Sequence, residues 1–292
     1  MAFETEYKNI KKIAQEELEF IEKYMILCID VQKDLRTHII NFLTAPSKRI
    51  RPLISVLFYK SVFEEINENQ LKALGAVELI HNASLVHDDI IDNSAKRRGL
   101  KTTANEFGNK LGVICGDYLL SVAMKIVTEL ESIELLKNFS ETLNKMCIGE
   151  INQNFDRFKI GTIENYIEKS KNKTGYLFET AILTPFLINK IKDNKFASEF
   201  GLNTGIAFQI RDDLLNIINI DSSKPSNNDI KDGIYNAPVI YAGNVENYMD
   251  GVEKTRSLLN NYINNSDCIL TNLPENIYKK GLKKFLELLG NE

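Results

Sequence analysis

The chain has 292 residues and a formal net charge of −4, so it is long enough for one large domain or two ordinary ones. Hydrophobic residues make up 43% and charged residues 26%, which excludes a disordered chain, and the mild acidity argues against a large basic face for nucleic acid. Only 15 glycines and 6 prolines are present, too few for a many-stranded sandwich or barrel. The composition therefore favours long helices.

Helical periodicity runs through nearly the whole chain. Apolar residues recur at i, i+3 and i+4 through residues 4–43, and later patterns predict helices over 52–64, 69–92, 104–130, 132–155, 163–182 and 195–217. Pro185 predicts a break or kink at 183–186, and residues 93–101 predict a basic loop. A flexible polar loop is expected at about 218–236. The sequence thus predicts an all-α protein with a single domain over residues 1–292.

No targeting or membrane segment is predicted. Residues 111–127 are apolar but are interrupted by Asp117 and Lys125, and they fall short of the roughly 20 residues that a membrane span needs. This segment is interpreted as a buried helix. The N-terminus lacks the order of a signal peptide, and the four scattered cysteines form no CxxC pair. We therefore expect a cytoplasmic protein with no membrane span.

Two acidic motifs carry the first functional signal. Asp88 and Asp92 lie at i and i+4, so their carboxylates project from one helix face, and hard oxygen ligands of this kind suit Mg²⁺. Asp212 belongs to a second acidic motif, which Gly201 and Gly205 precede at a spacing that permits close helix packing. Either motif alone would be interpreted as a solvated helix end. Together they predict two helices that hold metal ions inside a helical bundle.

Basic residues occur in separate groups along the chain. Acidic helices, Mg²⁺ and several Arg and Lys side chains are what diphosphate groups require, because Arg forms bidentate contacts and metals bridge phosphate oxygens. No GxxxxGK[ST] or GxGxxG motif suggests a nucleotide fold. The basic groups are Lys48-Arg49-Ile50-Arg51, Lys96-Arg97-Arg98, Lys173 and Lys224.

These residues, in this order, resemble the trans-isoprenyl diphosphate (polyprenyl) synthase family over about residues 40–290. The resemblance implies a helical bundle of the isoprenoid synthase type around a deep central cavity, usually built as a homodimer. The motifs that carry it are Lys48-Arg49-Ile50-Arg51-Pro52, Glu78-Leu79-Ile80-His81, Asp88-Asp89-Ile90-Ile91-Asp92, Arg97-Arg98-Gly99, Lys173-Thr174, Gly205-Ile206-Ala207-Phe208-Gln209 and Asp212-Asp213.

The resemblance also implies residue roles. The expected ligands of isopentenyl diphosphate are Lys48, Arg51, His81 and Arg98. The expected Mg²⁺ ligands are Asp88, Asp92 and Asp212. The expected cations on the allylic diphosphate are Arg97, Lys173 and Lys224, with Thr174 and Gln209 beside the developing carbocation. Three Mg²⁺ ions and these cations would stabilise departing pyrophosphate, the isopentenyl double bond would attack the allylic cation, and pyrophosphate would take the proton.

Product length is expected to depend on side chains just before the first acidic motif. Ser84 and Ala83 lie four and five positions before Asp88, and in the resembling family bulky aromatic residues there stop growth early. Two small residues predict an open tunnel and a product of twenty carbons or more. His87, beside Asp88, projects about 100° away, so we expect it to have a structural role.

The chain departs from the family pattern at three places, which leaves two alternatives open. Pro46-Ser47 replaces Gly-Gly, Asn216 ends the second acidic motif, and Gly233-Ile234 replaces Gly-Lys. These changes are compatible with a weakly active or regulatory subunit of a heteromeric synthase. A class I terpene cyclase uses similar aspartates, but it would not need an isopentenyl diphosphate site.

Overall fold

The computed structural model describes residues 2–218 and 228–291, and most of these residues are helical. In chain order, the first elements are α1 (Ala2–Lys12), α2 (Gln15–Leu27), α3 (Lys33–Thr44), α4 (Ile50–Phe63), α5 (Glu68–Ile91), β1 (Lys96–Arg97), β2 (Leu100–Lys101), α6 (Thr103–Phe107) and α7 (Asn109–Glu129). The rest are α8 (Ile133–Phe155), α9 (Ile163–Ser170), a π-helical segment (Lys171–Gly175), α10 (Tyr176–Ile188), α11 (Lys195–Ile218), α12 (Asn228–Lys231), α13 (Ala237–Ala242), a 3₁₀ turn (Met249–Gly251), α14 (Val252–Thr271) and α15 (Ile277–Gly290).

Two of the periodic regions are divided more finely than their hydrophobic pattern indicates. Residues 4–43 form three helices, and the side chain of Gln32 starts the third by accepting hydrogen bonds from the backbone N–H groups of Asp34 and Leu35. Residues 104–130 are divided at Gly108, whose φ of 86° lies outside the range that an L-residue in a helix adopts. Such local breaks leave the apolar periodicity intact, so periodicity does not reveal them.

Of the break or kink predicted at 183–186, the break is wrong. Helix α10 continues through Pro185 to Ile188 without interruption. The helix ends three residues later, and Phe186 is fully buried against Phe58 and Tyr59. Packing of this last turn therefore outweighs the single N–H that proline removes.

The basic loop predicted at 93–101 contains a short hairpin. Strands β1 and β2 pair antiparallel, with Lys96 opposite Lys101 and Arg97 opposite Leu100. The two-residue turn between them is Arg98-Gly99, and both residues have positive φ, 51° and 80°. This is the backbone of a tight hairpin turn, which normally selects glycine or asparagine. Arg98 is therefore held in a conformation that is uncommon for its residue type.

The chain divides into two compact units, named here by their acidic motifs. The Asp88 unit comprises Lys11–Lys137 and Thr184–Lys192, and the Asp212 unit comprises Met1–Ile10, Asn138–Leu183 and Asp193–Glu292. The all-α fold class is confirmed, because β1 and β2 are the only strands in the described part of the chain. The single domain over residues 1–292 remains a prediction, and residues 219–227 of the predicted flexible loop lie outside the described residues.

Helix α5 is the central helix of the Asp88 unit. A capping box starts it, in which the Asn67 side chain and the Gln70 side chain each bind the other's backbone N–H. Helices α7 and α2 pack against it, and its residues from Leu71 to Ile80 are all buried except Lys72. Burial over two and a half turns fixes the orientation of α5, and hence of the acidic residues at its end.

Helix α11 is the corresponding helix of the Asp212 unit, and the close packing predicted at its glycines is present. A Cβ on Gly201 would lie 2.7 Å from the Cα of Glu179, and one on Gly205 would lie 2.8 Å from the Cα of Gly175. These are backbone contacts that cannot move aside. The two glycines therefore bring α11 directly against the π-helical segment and α10.

Helix α7 is the one helix in the described residues that is long and apolar enough to cross a membrane by length and composition alone. Only 44% of its most apolar window is buried, so it is less buried than the sequence predicted, and Val113 and Ile114 are exposed. Core helices of water-soluble proteins often pass the same test. The absence of a membrane span therefore stays a prediction.

Candidate functional site

The first acidic motif lies at the end of α5, and its three aspartates face different surroundings. Asp88 is half-buried and Asp92, which ends the helix, is exposed, so both are accessible from one helix face. Asp89 is only 3% exposed, and its carboxylate accepts a hydrogen bond from Arg97 Nε at 2.6 Å. The motif therefore presents two outer carboxylates, while its second aspartate is held by a cation of the protein.

The β1–β2 hairpin places Arg97 against Asp89. Thr102 closes the hairpin on its other side, because its hydroxyl donates to the carbonyl of Ser94 at 2.8 Å and its N–H donates to Ala95. The backbone N–H of Ser94 in turn donates to the carbonyl of Asp89 at 2.9 Å. The basic hairpin is thus tied to the end of the acidic helix by both backbone and side-chain bonds.

Arg49, within the first basic motif, forms a buried ion pair. It is the residue before α4 and adopts a left-handed conformation with φ 53° and ψ 41°. Its guanidinium donates to Glu78 at 3.0 Å and to Glu22 at 3.0 Å, and also to the carbonyl of Leu43. The side chains of Arg49 and Glu78 are 5% and 2% exposed. Arg49 therefore joins α2, α4 and α5, and it acts structurally.

His81 lies among positive charges. Burial lowers the pKa of His81 well below its usual value, and Arg51, Arg98, Arg49 and Arg97 lower it further. We call these four arginines the arginine cluster. The His81 ring is consequently neutral at pH 7, and it can form hydrogen bonds without adding charge.

Within the arginine cluster, Arg51 and Arg98 take up different positions. Burial lowers the pKa of Arg51 to about 10, and Glu78 opposes that shift. Arg98 donates to Asn82 Oδ1 and to the carbonyl of Phe42, both at 3.4 Å, and its guanidinium lies 5.4 Å from the Phe42 ring centroid. So many partly desolvated cations in one place favour an anionic ligand.

Lys48 and the Pro46-Ser47 departure lie at the edge of this region. Lys48 is exposed and precedes Arg49, at the start of α4. The carbonyl of Ser47 accepts a hydrogen bond from Lys11 Nζ at 3.4 Å. Lys11 is thus a further cation near the first basic motif, and no motif indicated it, because it lies far away in sequence, at the end of α1.

The second acidic motif repeats the arrangement of the first. Asp212 and Asn216 are exposed one turn apart on one face of α11, whereas Asp213 is 4% exposed. Burial raises the pKa of Asp213 to about 7, although hydrogen bonding from Tyr166 and the charge of Lys169 act in the opposite direction. As in the first motif, the outer residues Asp212 and Asn216 are accessible, whereas the second aspartate, Asp213, is buried.

A chain of hydrogen bonds starts at Asp213. Tyr166 donates to its Oδ2 at 2.6 Å, and Gln209 Nε2 donates to its Oδ1 at 2.9 Å. Gln209 Oε1 accepts from the Thr174 hydroxyl at 2.5 Å. The predicted pair Thr174 and Gln209 is therefore brought together, by direct contact.

Lys173 and Thr174 lie in the π-helical segment Lys171–Gly175, a distortion that is common at functional sites. Lys173 pairs with Glu150 at 3.2 Å and donates to Gln153 Oε1 at 3.4 Å. A Cβ on Gly149 would lie 2.8 Å from the Asn172 Cβ and 3.2 Å from the Lys173 backbone N, so α8 packs directly on this segment. The wide turn of the π-helical segment and its close packing against α8 together fix the backbone position of Lys173.

The structure places the predicted site residues in two groups, one in each unit. The Asp88 unit holds Lys48, Arg51, His81, Ala83, Ser84, Asp88, Asp92, Arg97 and Arg98. The Asp212 unit holds Lys173, Thr174, Gln209 and Asp212. Lys224 lies outside the described residues. His87 has the structural role expected of it, because it packs on Gly116 and contacts the carbonyl of Val113 at 3.3 Å.

Asp89 and Glu78 lie within the predicted motifs but were assigned no role, whereas Glu150, Tyr166 and Lys11 were missed from the sequence. Helical phase could have indicated the burial of Asp89 and Asp213, since each lies about 100° from its more accessible neighbour. Tyr166 and Glu150 gave no such signal, because their partners are distant in sequence.

The donor set at both acidic motifs fits Mg²⁺. The outer side chains offer oxygens, and among the described residues no group of three or more His, Cys, Asp or Glu side chains could hold a metal ion by itself. Mg²⁺ is usually held by one or two carboxylates, with phosphate oxygens and water completing its shell. Asp88 and Asp92 are the residues of the Asp88 unit that would hold such an ion, and Asp212 is the one in the Asp212 unit.

Comparisons with known proteins identify the family. The family described as polyprenyl synthetase matches residues 32–271. The chain belongs to the polyprenyl synthetase family. Similar members include a decaprenyl-diphosphate synthase of Dictyostelium discoideum, 33% identical over 78% of this chain and 56% of that protein. A geranylgeranyl diphosphate synthase of Saccharolobus solfataricus is 37% identical over 69% of this chain and 64% of that protein.

The fold of this chain is likewise that of solved structures. A polyprenyl synthase of Caulobacter crescentus CB15, solved with calcium and isoprenyl diphosphate, superposes with a TM-score of 0.87 at 20% identity, covering 98% of both chains. The family resemblance and the isoprenoid synthase fold are thus confirmed. The chain spans between 56% and 66% of the lengths of the first five curated relatives.

Proposed function

We propose that the protein is a prenyltransferase that condenses isopentenyl diphosphate with an allylic diphosphate and releases pyrophosphate. The product is a trans-polyprenyl diphosphate of twenty carbons or more. The names of the similar curated proteins, decaprenyl and geranylgeranyl diphosphate synthases, support both the reaction and the product class.

The observation that carries the proposal is the order of charges along α5. His81, with the arginine cluster around it, lies seven residues before Asp88, which is about 10 Å along the helix and nearly on the same face. One helix therefore bears an anion site without metal ligands, followed by a site with metal ligands. A reaction that uses two diphosphate substrates in different roles requires both of these sites. A terpene cyclase, which takes one diphosphate, requires only the site with metal ligands.

The divalent metal belongs to the same proposal. We infer Mg²⁺, with three ions, held by Asp88, Asp92 and Asp212 together with diphosphate oxygens. When bound, it neutralises the diphosphate charge and makes pyrophosphate a better leaving group. The calcium and isoprenyl diphosphate in the Caulobacter crescentus protein support this choice.

The residues of the chain bind and orient the two substrates. Arg51, Arg98 and Lys48 hold the diphosphate of isopentenyl diphosphate, and neutral His81 contacts its oxygens. Arg97 keeps one edge of its guanidinium on Asp89, so it offers its remaining N–H groups to the allylic diphosphate from a fixed position.

In the Asp212 unit, Lys173 adds positive charge to the allylic diphosphate. Thr174 and Gln209 hold electron-rich oxygens toward the allylic carbon. The allylic C1–O bond breaks, the isopentenyl C=C forms the new C–C bond, and the proton lost from the isopentenyl unit goes to pyrophosphate. The chain therefore needs no general base, and its contribution is preorganised charge and position.

The Gly233-Ile234 departure favours the second candidate, a weakly active or regulatory subunit. Gly233 has a φ of 74°, and its carbonyl accepts a hydrogen bond from the N–H of Phe158 at 2.8 Å, so its backbone is fixed. Ile234 offers no charge there, and Lys231 is exposed on α12.

A homodimer and a cytoplasmic location complete the proposal. The exposed apolar side chains of Ile148 and Ile151 on α8 support the homodimer.

Incorporation of radiolabelled isopentenyl diphosphate tests the proposal directly. The purified protein, given farnesyl or geranylgeranyl diphosphate and Mg²⁺, is expected to yield products of twenty carbons or more on chromatography. Removal of the metal with EDTA should abolish incorporation, and restored Mg²⁺ should recover it. No incorporation by the protein alone would reject the enzyme proposal, and activity that appears only with a second synthase subunit would favour the regulatory one.

Product length gives a separate prediction. Ala83 is fully buried in α5, while Ser84 is half-buried and its hydroxyl donates to the carbonyl of His81 at 2.9 Å. Ala83→Phe is expected to shorten the product. Because overpacking a buried site costs about 1–3 kcal/mol, Ser84→Phe provides a second variant on the face of Asp88. An unchanged product distribution in both folded variants would reject the role of these positions.

A further inference from the structure

Tyr166 and Asp213 form a buried pair next to the residues expected at the carbocation. Tyr166 is 2% exposed and Asp213 is 4% exposed. The tyrosine hydroxyl donates to one carboxylate oxygen at 2.6 Å, and Gln209 donates to the other at 2.9 Å. Both oxygens of Asp213 are thus used inside the protein, which distinguishes Asp213 from its exposed neighbour Asp212.

The directions of these bonds fix the orientation of Gln209. Asp213 Oδ1 accepts from the Gln209 amide nitrogen, so the amide turns its NH₂ group to Asp213 and its carbonyl oxygen away. That oxygen accepts the Thr174 hydroxyl at 2.5 Å. With its proton committed to Gln209, Thr174 keeps its oxygen lone pairs for other contacts.

The surroundings of Tyr166 leave its hydroxyl little freedom. Its backbone carbonyl accepts the Ser170 hydroxyl at 2.9 Å, and the ammonium of Lys169 lies 5.6 Å from its ring centroid. Burial and the neighbouring Asp213 raise the pKa of Tyr166 well above its usual value, so the hydroxyl remains a donor. A tyrosine with a fixed ring and a fixed proton is well suited to hold a carboxylate in one rotamer.

We propose that Tyr166 is a positioning residue of the prenyl transfer, which acts through Asp213 to hold the Gln209 amide and the Thr174 hydroxyl in one orientation. This inference rests on the proposed function. Cationic charge at the allylic carbon exists only near the transition state. An oxygen held in advance therefore stabilises the transition state more than the bound substrate, and its loss lowers kcat more than it raises KM.

The first test compares Tyr166→Phe with Tyr176→Phe. Tyr176 follows the same π-helical segment, is half-buried and has the Lys145 ammonium 3.7 Å from its ring centroid, which makes it a matched control. Tyr166→Phe is expected to lower kcat roughly 10- to 100-fold, the range seen when an outer partner of a functional group is lost. KM for both substrates should stay within about twofold, and Tyr176→Phe should behave as the wild type. A raised KM with unchanged kcat would overturn the proposal.

A double-mutant cycle with Thr174→Val separates positioning from a general structural effect. If Tyr166 acts through Thr174, Tyr166→Phe is expected to change kcat less than about threefold in the Thr174→Val background. Additive losses would show that the two residues act independently and would overturn the proposal.

A third measurement does not depend on activity. In protein labelled with ¹⁵N-glutamine, we expect the Gln209 side-chain amide protons to exchange with water at least about tenfold faster in Tyr166→Phe than in the wild type, without substrate. Unchanged exchange would overturn the positioning role even in an active enzyme. If exchange is faster in Tyr166→Phe but the wild type incorporates no isopentenyl diphosphate, the link from Tyr166 to Gln209 stands and the proposed function is rejected.

Discussion

Asp88→Asn is expected to lower turnover by about a hundred- to a thousandfold while leaving the fold intact. The carboxylate is half-buried at the accessible end of α5, and its role is to carry charge toward a metal and a diphosphate. Asp92 lies one turn away, and like charges at this spacing repel by about 0.2–0.5 kcal/mol. The free energy of unfolding should therefore change by less than about 1 kcal/mol, as measured by urea denaturation.

The neighbouring Asp89→Asn is the matched control, since it makes the same chemical change in the same motif. Asp89 is 3% exposed and holds Arg97 at 2.6 Å, so its loss is expected to reduce the free energy of unfolding by about 1–3 kcal/mol. Its Mg²⁺ dependence should resemble that of the wild type, whereas Asp88→Asn should require far more Mg²⁺ for its residual activity. Identical stability and metal dependence in the two variants would contradict the separation of outer and inner aspartates.

Glu78→Ala is expected to destabilise the protein by about 3–5 kcal/mol, because it leaves the buried guanidinium of Arg49 without its buried partner. Both side chains are almost fully buried, at 2% and 5% exposure, and the two charges lie 3.0 Å apart. Glu78 also opposes the lowering of the pKa of Arg51 and Arg98 within the arginine cluster. Urea denaturation of the variant measures the loss.

Glu22→Ala supplies the comparison for this ion pair. Glu22 binds the same guanidinium at the same distance, but it is 40% exposed, and exposed pairs contribute about 0–1 kcal/mol. Inorganic pyrophosphate should restore part of the stability lost in Glu78→Ala, because an anion that binds only the folded arginine cluster shifts the equilibrium toward folding. Equal losses in the two variants, or no effect of pyrophosphate, would contradict this account.

The sequence by itself determined the helical class and indicated the acidic and basic motifs. Low glycine and proline content, apolar residues at helical spacing, and aspartates at i and i+4 are local properties, and local properties survive folding unchanged. The same holds for the close packing at Gly201 and Gly205, which requires only small residues one turn apart. Candidate site residues could therefore be predicted where a motif is short and continuous.

Only the tertiary structure decided which member of each motif faces inward and what holds it there. Lys48, Arg49 and Arg51 read as one basic group, yet Arg49 is buried in an ion pair with Glu78, 29 positions away. Tyr166 reaches Asp213 across 47 positions, and packing of Phe186 carries α10 through Pro185. Such partners are chosen by burial, because a charge or a polar group removed from water must find a partner wherever the packed chain supplies one. Periodicity along the sequence determines which face of a helix is buried, whereas long-range packing determines which residues contact that face.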